Sequence, residues 1–255
     1  MIRVGIYGGS GYTGLELMRI LLRHPGVQVT GLTSRKFKGQ PLSDTYPLFE
    51  GLTDIRFIDA SPEELAGMAD VIFMATPHGE AMAVAPAFVA AGKKVIDLSA
   101  DFRFADAAVF AAVYGQAHPR PELLRQSVYG LAEWHTEQIR KADIIANPGC
   151  YPTATLLPLL PLARAGLVDG SVVVNAISGI SGAGKKERLD LLYGERTENA
   201  GAYNPGRTHR HAPEIEGELR AERASLSLLF TPHLAPIKRG MCVTTVVRPA
   251  KDVPA

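Results

Sequence analysis

A Rossmann-type, doubly wound parallel α/β sheet, followed by an α+β unit with a mixed sheet, is the architecture this 255-residue sequence predicts. Residues 1–148 alternate short β-branched runs with helical patterns, the mark of parallel βαβ units. A glycine-rich turn directly follows the first strand. Beyond Gly149 the strands lengthen and are separated by a glycine-rich, charged stretch, which suits a more antiparallel or mixed sheet. The expected units are therefore 1–148 and 149–255.

The spacing predicts strands at Arg3 to Tyr7, Val27 to Thr33, Asp54 to Ile58, Val71 to Ala75, Lys94 to Leu98 and Asp143 to Ala146. Between them, Tyr12 to His24, Pro62 to Met68 and Glu80 to Ala91 read as helices. Leu15, Met18, Ile20, Leu21 and Leu22 are expected to form the apolar face of the first. An apolar segment from Thr153 to Ala163 follows a Pro-Gly turn, and strands are expected at Ser171 to Ser178, Leu226 to Phe230 and Met241 to Arg248. Six glycines between Ser178 and Gly206 mark a binding or interface loop.

The turn Gly8-Gly9-Ser10-Gly11-Tyr12-Thr13-Gly14 satisfies GxGxxG through Gly9, Gly11 and Gly14. Glycines there permit a tight turn and let the backbone approach a pyrophosphate, whose charge meets the start of the next helix. Gly8, Ser10, Gly11, Tyr12, Thr13 and Gly14 are thus the candidate dinucleotide loop. An acidic residue at the end of the second strand would accept the ribose hydroxyls of NAD, but no carboxylate lies between Glu16 and Asp44. Thr33-Ser34-Arg35-Lys36 instead offers hydroxyls and cations suited to a 2′-phosphate, so NADP is expected, with Ser34 and Arg35 as contacts. Thr76, in Ala75-Thr76-Pro77-His78-Gly79, is placed near the nicotinamide end.

Cys150, in Asn147-Pro148-Gly149-Cys150-Tyr151-Pro152-Thr153, stands where a short apolar strand gives way to a helix. A thiol there feels unsatisfied N–H groups and the positive end of the dipole, which favour the thiolate. A nucleophilic cysteine beside a nicotinamide cofactor implies hydride transfer between an aldehyde and an acyl group through a thioester. His211, in His209-Arg210-His211-Ala212-Pro213-Glu214, is the candidate general acid–base, just ahead of a helix expected from Pro213. Residues two apart on an extended segment point to opposite sides, so His209 is not expected to share its site. A His-x-His metal pair is the rival, but no further cluster has ligand spacing, and no metal is expected. Cys242, alternating with Val243, is expected in the core.

A net charge of +1 with interspersed signs leaves no footprint for nucleic acid or an anionic membrane. Two cysteines make no disulfide framework, and Met1 runs straight into a strand without a signal peptide, so a cytoplasmic location is expected. The longest apolar runs fall short of a membrane span. Small molecules and copies of the same chain are the expected partners.

Five blocks resemble, in order, the N-acetyl-gamma-glutamyl-phosphate reductase family of arginine biosynthesis: GGSGYTG at Gly8, LSADFR at Leu98, NPGCYPT at Asn147, SGISGAG at Ser178 and HRHAPEI at His209. The resemblance covers the chain nearly end to end. It implies Cys150 as nucleophile, His211 as acid–base residue, NADPH on the first glycine loop, and reduction of N-acetyl-L-glutamyl 5-phosphate to the 5-semialdehyde with release of phosphate. Arg103 and Lys185 become the cations for substrate phosphate or carboxylate. Ser181 and Gly182 would add hydroxyl and backbone donors. It also implies a homo-oligomer. The sibling enzymes, aminoadipyl-phosphate reductase and aspartate-semialdehyde dehydrogenase, share the same Cys, His and NADP logic, and a non-catalytic nucleotide-binding protein is a further alternative. Members of the family usually continue past the strand ending near Arg248. The chain is therefore expected to be truncated at its C-terminus, to bind cofactor poorly and turn over slowly alone, and to expose a sheet edge.

Overall fold

The fold is that of a computed structural model, which describes residues 1–222 and 226–250. It divides into two compact units at Pro148/Gly149. The first contains β1 (Ile2–Tyr7), α1 (Tyr12–Leu21), β2 (Val27–Leu32), α2 (Leu42–Thr45), α3 (Pro62–Met68), β3 (Val71–Met74), α4 (Ala81–Ala90), β4 (Lys94–Asp97), α5 (Ala107–Tyr114), α6 (Pro121–Gln126), β5 (Val128–Tyr129), α7 (Ala132–Lys141) and β6 (Ile144–Ala146). Its six strands are ordered β2-β1-β3-β4-β6-β5, and every pairing is parallel.

Strand β3 shows why the sheet is covered on both faces. Ile72 and Met74 enter the cluster with Phe88, Phe102 and Phe110, while Val71 and Phe73 pack against the opposite cluster of Leu15, Met18, Phe49 and Phe57. Side chains alternate across a strand, so a run apolar at every position must be buried twice. Helix α3 begins where Ser61 accepts the Glu64 N–H and the Glu64 carboxylate accepts the Ser61 N–H, at 3.2 and 2.7 Å. This reciprocal cap contributes about 1 kcal/mol.

Several sequence expectations shift. The run Asp54 to Ile58 forms no strand. Its alternation buries Phe57, but its backbone bonds go to Gly39, Gln40 and the first residue of α2, Leu42, and to Leu32 and Ser34, leaving only isolated bridges at Thr33/Ile58 and Pro41/Arg56. Helix α1 stops at Leu21, and Ile20 is 55% exposed, so neither Ile20 nor Leu22 belongs to its buried face. Helices α5, α6 and α7 are absent from the sequence expectations, although α7 is as amphipathic as α1. AAVFAAVY lacks a polar stripe, and α7 buries no residue among its ten.

The second unit contains α8 (Cys150–Arg164), β7 (Val168–Ser178), α9 (Tyr193–Arg196), β8 (Gly201–Ala202), α10 (His211–Ala221), β9 (Leu226–Leu234) and β10 (Met241–Pro249). The sheet order is β10-β7-β9-β8, with β7 and β9 parallel and the other two pairings antiparallel, so it is mixed. Val172, Val174, Ala176, Leu228 and Phe230 are buried on the face that α8 and α10 cover. The alternate positions Ile177, Leu229 and Val246 are exposed. Cys242, directly across from Ile177, lies on that same outer face and is exposed rather than core, because β10 presents every second residue outward.

Candidate active site

In the first unit the glycine loop joins β1 to α1 at the C-terminal edge of the sheet. The chain leaves β1 to one side for β2 and returns on the other for β3, so the loop lies at the topological switch point, where doubly wound sheets bind ligands. Gly8 has φ of +85°, and a methyl group there would meet the Ala75 carbonyl oxygen at 2.9 Å. A methyl on Gly14 would fall 2.1 Å from the Gly9 carbonyl oxygen, whereas one on Gly11 would touch nothing within 4 Å. Gly14 therefore serves helix-to-turn packing, while Gly11 leaves open space beside the first turn of α1. The N-cap of that helix is Gly11, which offers no side-chain cap. Open backbone at a helix start is what a pyrophosphate needs, so the loop fits a dinucleotide.

The other predicted contacts converge on this loop. Thr33 Oγ1 accepts the Gly8 N–H and the Thr33 carbonyl accepts the Gly9 N–H, both at 2.9 Å, which brings Ser34 and the exposed Arg35 to the loop's flank. Thr76 Cγ2 lies 3.0 Å from the methyl position of Gly8, and its Oγ1 is buried with no partner among the described residues, as a site for a polar ligand group would leave it. Ser10 is half-buried, and Tyr12 and Thr13 are exposed on the opening turn of α1. Tyr46, which the sequence did not single out, donates its hydroxyl to the Ser10 and Gly11 carbonyls at 3.1 and 2.9 Å. No motif links residues so far apart in sequence.

The LSADFR block builds a buried polar ladder. Asp97 accepts from the Ser99 N–H and hydroxyl, Ser99 Oγ accepts the Asp101 N–H, and the fully buried Asp101 accepts the Gly79 and Met82 N–H groups, fixing the turn after β3. Burial pushes the Asp97 carboxyl up to about 6, against the lowering pull of its Ser99 hydrogen bonds. Arg103 donates Nε–H to the Asn147 carbonyl at 2.9 Å, so one edge of its guanidinium ties the end of β6 to this block.

In the second unit Cys150 is the first residue of α8, exposed and outside any disulfide. The cap before it is Gly149, and here glycine is required by a close approach: a methyl would fall 2.5 Å from His211 Nε2. The imidazole of His211 thus lies against the residue that precedes the thiol. Both predicted catalytic side chains belong to one local constellation. Gly149 also donates its N–H to Glu214 Oε1 at 2.9 Å. Ser181 and Gly182 lie in a single 3-10 turn, where a methyl on Gly182 would meet Ser178 Oγ at 3.1 Å, and Lys185 is exposed beyond it.

His209 does share this place, contrary to the alternation argument. Arg210 has helical φ and ψ, so the chain bends into α10 at His211 instead of running extended, and the rings of His209 and His211 approach to 4.7 Å. His209 Nδ1 accepts the His211 N–H at 3.1 Å, and its ring meets Tyr151, Tyr203 and Phe230 edge-on. No group of three or more potential ligands that could hold a metal occurs among the described residues.

Burial, with Arg210 adding to it, holds the His209 imidazole down to about 4 from its usual 6.5. The unfolded chain therefore carries the extra proton between those values, so the stability His209 contributes is complete above pH 6.5 and is lost as pH falls through the window towards 4. At pH 5 the loss is about 2 kcal/mol. The melting temperature of the wild type, compared with His209→Asn at pH 7.5 and pH 5, should fall further than the variant's on acidification. Parallel falls would contradict this.

A doubly wound dinucleotide-type unit joined to a mixed-sheet unit carrying an exposed Cys and a neighbouring His defines a semialdehyde dehydrogenase. Residues 3–142 match the family model described as "Semialdehyde dehydrogenase, NAD binding domain", and residues 150–255 match "Semialdehyde dehydrogenase, dimerisation domain". The chain belongs to the N-acetyl-gamma-glutamyl-phosphate reductase family. It is 48% identical over 252 residues to the protein of that name from Desulforudis audaxviator (strain MP104C), covering 98% of this chain and 72% of that one. It is also 48% identical over 260 residues to that of Pseudomonas fluorescens (strain Pf0-1), covering 100% and 75%. Among solved structures, aspartate semialdehyde dehydrogenase with NADP from Candida albicans superposes with a TM-score of 0.72 at 16% identity, over 100% of this chain and 74% of that one. Aspartate semialdehyde dehydrogenase II of Vibrio cholerae gives the same score at 17%, over 99% and 76%. These two show the shared fold. No described helix is long and apolar enough to cross a membrane.

Proposed function

We propose that the chain carries out NADPH-dependent reduction of N-acetyl-L-glutamyl 5-phosphate to N-acetyl-L-glutamate 5-semialdehyde, with Cys150 as nucleophile and His211 as acid–base residue. The observation that carries this reading is the contact of the His211 ring with the residue preceding an exposed thiol at a helix start. The names of relatives sharing 48% identity over nearly the whole chain supply the substrate.

The Cys150 thiolate attacks the acyl carbon, and the C–O bond to phosphate breaks as the C–S bond forms. The start of α8 places backbone N–H groups and the positive end of the helix dipole beside Cys150, which would stabilise the developing oxyanion. A nicotinamide dinucleotide held on the glycine loop would supply the hydride for reducing the thioester. His211 then takes and returns the proton needed to expel the aldehyde and restore the thiol. Ser34 and Arg35 at the end of β2 would hold the 2′-phosphate, and Gly8 to Gly14 the pyrophosphate, with Thr76 beside them. Arg103, Ser181, Gly182 and Lys185 would receive the substrate's phosphate and carboxylate.

Cytoplasmic location and homodimer formation complete the reading. The match to a dimerisation domain and the row Leu229, Val173 and Val246 across the outer sheet face, half-buried at Val173 and exposed on either side of it, support a second copy docking on that face.

The test runs the reaction backwards with N-acetylglutamate 5-semialdehyde and phosphate, following absorbance of the reduced nicotinamide. Activity with NADP should exceed that with NAD, aspartate semialdehyde should be a poor substrate, and Cys150→Ser should lower kcat by about 10⁴-fold or more. Turnover that survives Cys150→Ser would end the covalent mechanism.

A further inference from the structure

We infer that Glu214 is a positioning residue for this reaction: it holds the nucleophile turn at a fixed distance from the acid–base histidine. The inference deepens the proposed function and rests on the roles given to Cys150 and His211. Glu214 is 2% exposed, and a carboxylate is costly to bury unless its oxygens are bonded. One of those oxygens accepts the Gly149 N–H at 2.9 Å, sixty-five residues away in sequence and immediately before the thiol.

His211 and Glu214 are three apart in the first turn of α10, so they face the same way. Both meet Gly149: the imidazole touches the space over its Cα, and the carboxylate holds its N–H. A single peptide group is thus gripped from one helix face at two points. Gly149 is also the cap of α8, whose carbonyl accepts the Thr153 N–H and hydroxyl at 2.9 Å each, so fixing Gly149 fixes the axis on which Cys150 begins. Arg207, in the segment leading into α10, is bonded through both terminal nitrogens to the buried Glu216 at 2.6 and 2.7 Å, which ties that segment to the helix. Glu214 sets the register between α10 and α8, and with it the spacing of sulfur and imidazole. Nothing in this role requires Glu214 to touch substrate or exchange a proton.

The role separates an acceptor in the right place from a charge in the right place. Glu214→Gln keeps an oxygen acceptor at the same reach, whereas Glu214→Met keeps the volume and loses the acceptor. In the semialdehyde assay, Glu214→Met should lose about 100-fold in kcat with the KM for NADP changed less than twofold. Glu214→Gln should stay within about fivefold of wild type on both. The rate of iodoacetamide labelling of Cys150 against pH should keep the wild-type profile in Glu214→Gln and differ from it in Glu214→Met. A Glu214→Met protein with wild-type kcat would overturn the inference, as would a Glu214→Gln protein as impaired as Glu214→Met. If Glu214→Met does not fold, Glu214→Gln decides: near-wild-type kcat and labelling profile uphold the acceptor role, and a large loss in either overturns it. Cys150→Ser and His211→Asn, run beside them, distinguish the two levels. Should either retain wild-type turnover, the reading of the site falls, and not merely the role of Glu214.

Discussion

Gly149→Ala should leave a folded protein with about 100-fold lower kcat and an unchanged KM for NADP. The added methyl would lie 2.5 Å from Nε2, 2.8 Å from Cε1 and 2.9 Å from Cδ2 of His211, over the whole edge of the ring. No real carbon tolerates that, so the imidazole must move. Its room is limited, because the ring is buried and packed against Tyr151 and His209 at 5.8 and 4.7 Å between centroids. Displacing a catalytic group by about 1 Å costs roughly 100-fold in rate. The glycine loop belongs to the other unit, so cofactor affinity should not respond. Steady-state kinetics with NADP varied at saturating semialdehyde checks this, and wild-type kcat would show that the ring has no fixed place in the reaction.

Gly14→Ala should damage the first unit more severely. Its methyl meets backbone on every near side, with the Gly9 oxygen at 2.1 Å, carbonyl carbon at 2.5 Å and Cα at 2.6 Å. Backbone cannot rotate aside as a side chain can, so α1 must be pushed away from the turn it follows. Overpacking of this kind costs about 3 kcal/mol. Displacing α1 also removes the helix start from any phosphate, and nicotinamide dinucleotide affinity should fall at least about 100-fold. The chain's one tryptophan, Trp134, lies in α7 of this same unit, so urea unfolding followed by its fluorescence reports the unit's stability directly. An unfolding midpoint and dinucleotide Kd equal to wild type would refute the role given to Gly14.

Much of this was legible in the sequence, for physical reasons that also explain the failures. The glycine loop and the Cys150 turn were readable because each is a local device, in which a strand, a sharp turn and a helix start follow within a few residues. Asp54 to Ile58 misled because alternation records burial of Phe57, not the presence of a strand to pair with. Helix α7 was missed although it is as amphipathic as α1, because its composition is polar overall and its apolar positions, Trp134 and Ile139, are only half-buried. Tyr46 and Glu214 were invisible for a different reason: each acts on a backbone group more than thirty residues away, and nothing local marks a hydroxyl or carboxylate that will find it. His209 was misplaced by one dihedral pair at Arg210, which turned an extended segment into a helix start.

The most direct test is a chemical trap. The protein is mixed with N-acetylglutamyl phosphate in the absence of nicotinamide cofactor, quenched in acid, and its peptides are weighed. The expected result is an N-acetylglutamyl adduct on the peptide bearing Cys150, released by hydroxylamine and absent from the Cys150→Ser protein. An unmodified Cys150 in a preparation that turns over when cofactor is added, or the adduct on another residue, would contradict the covalent mechanism.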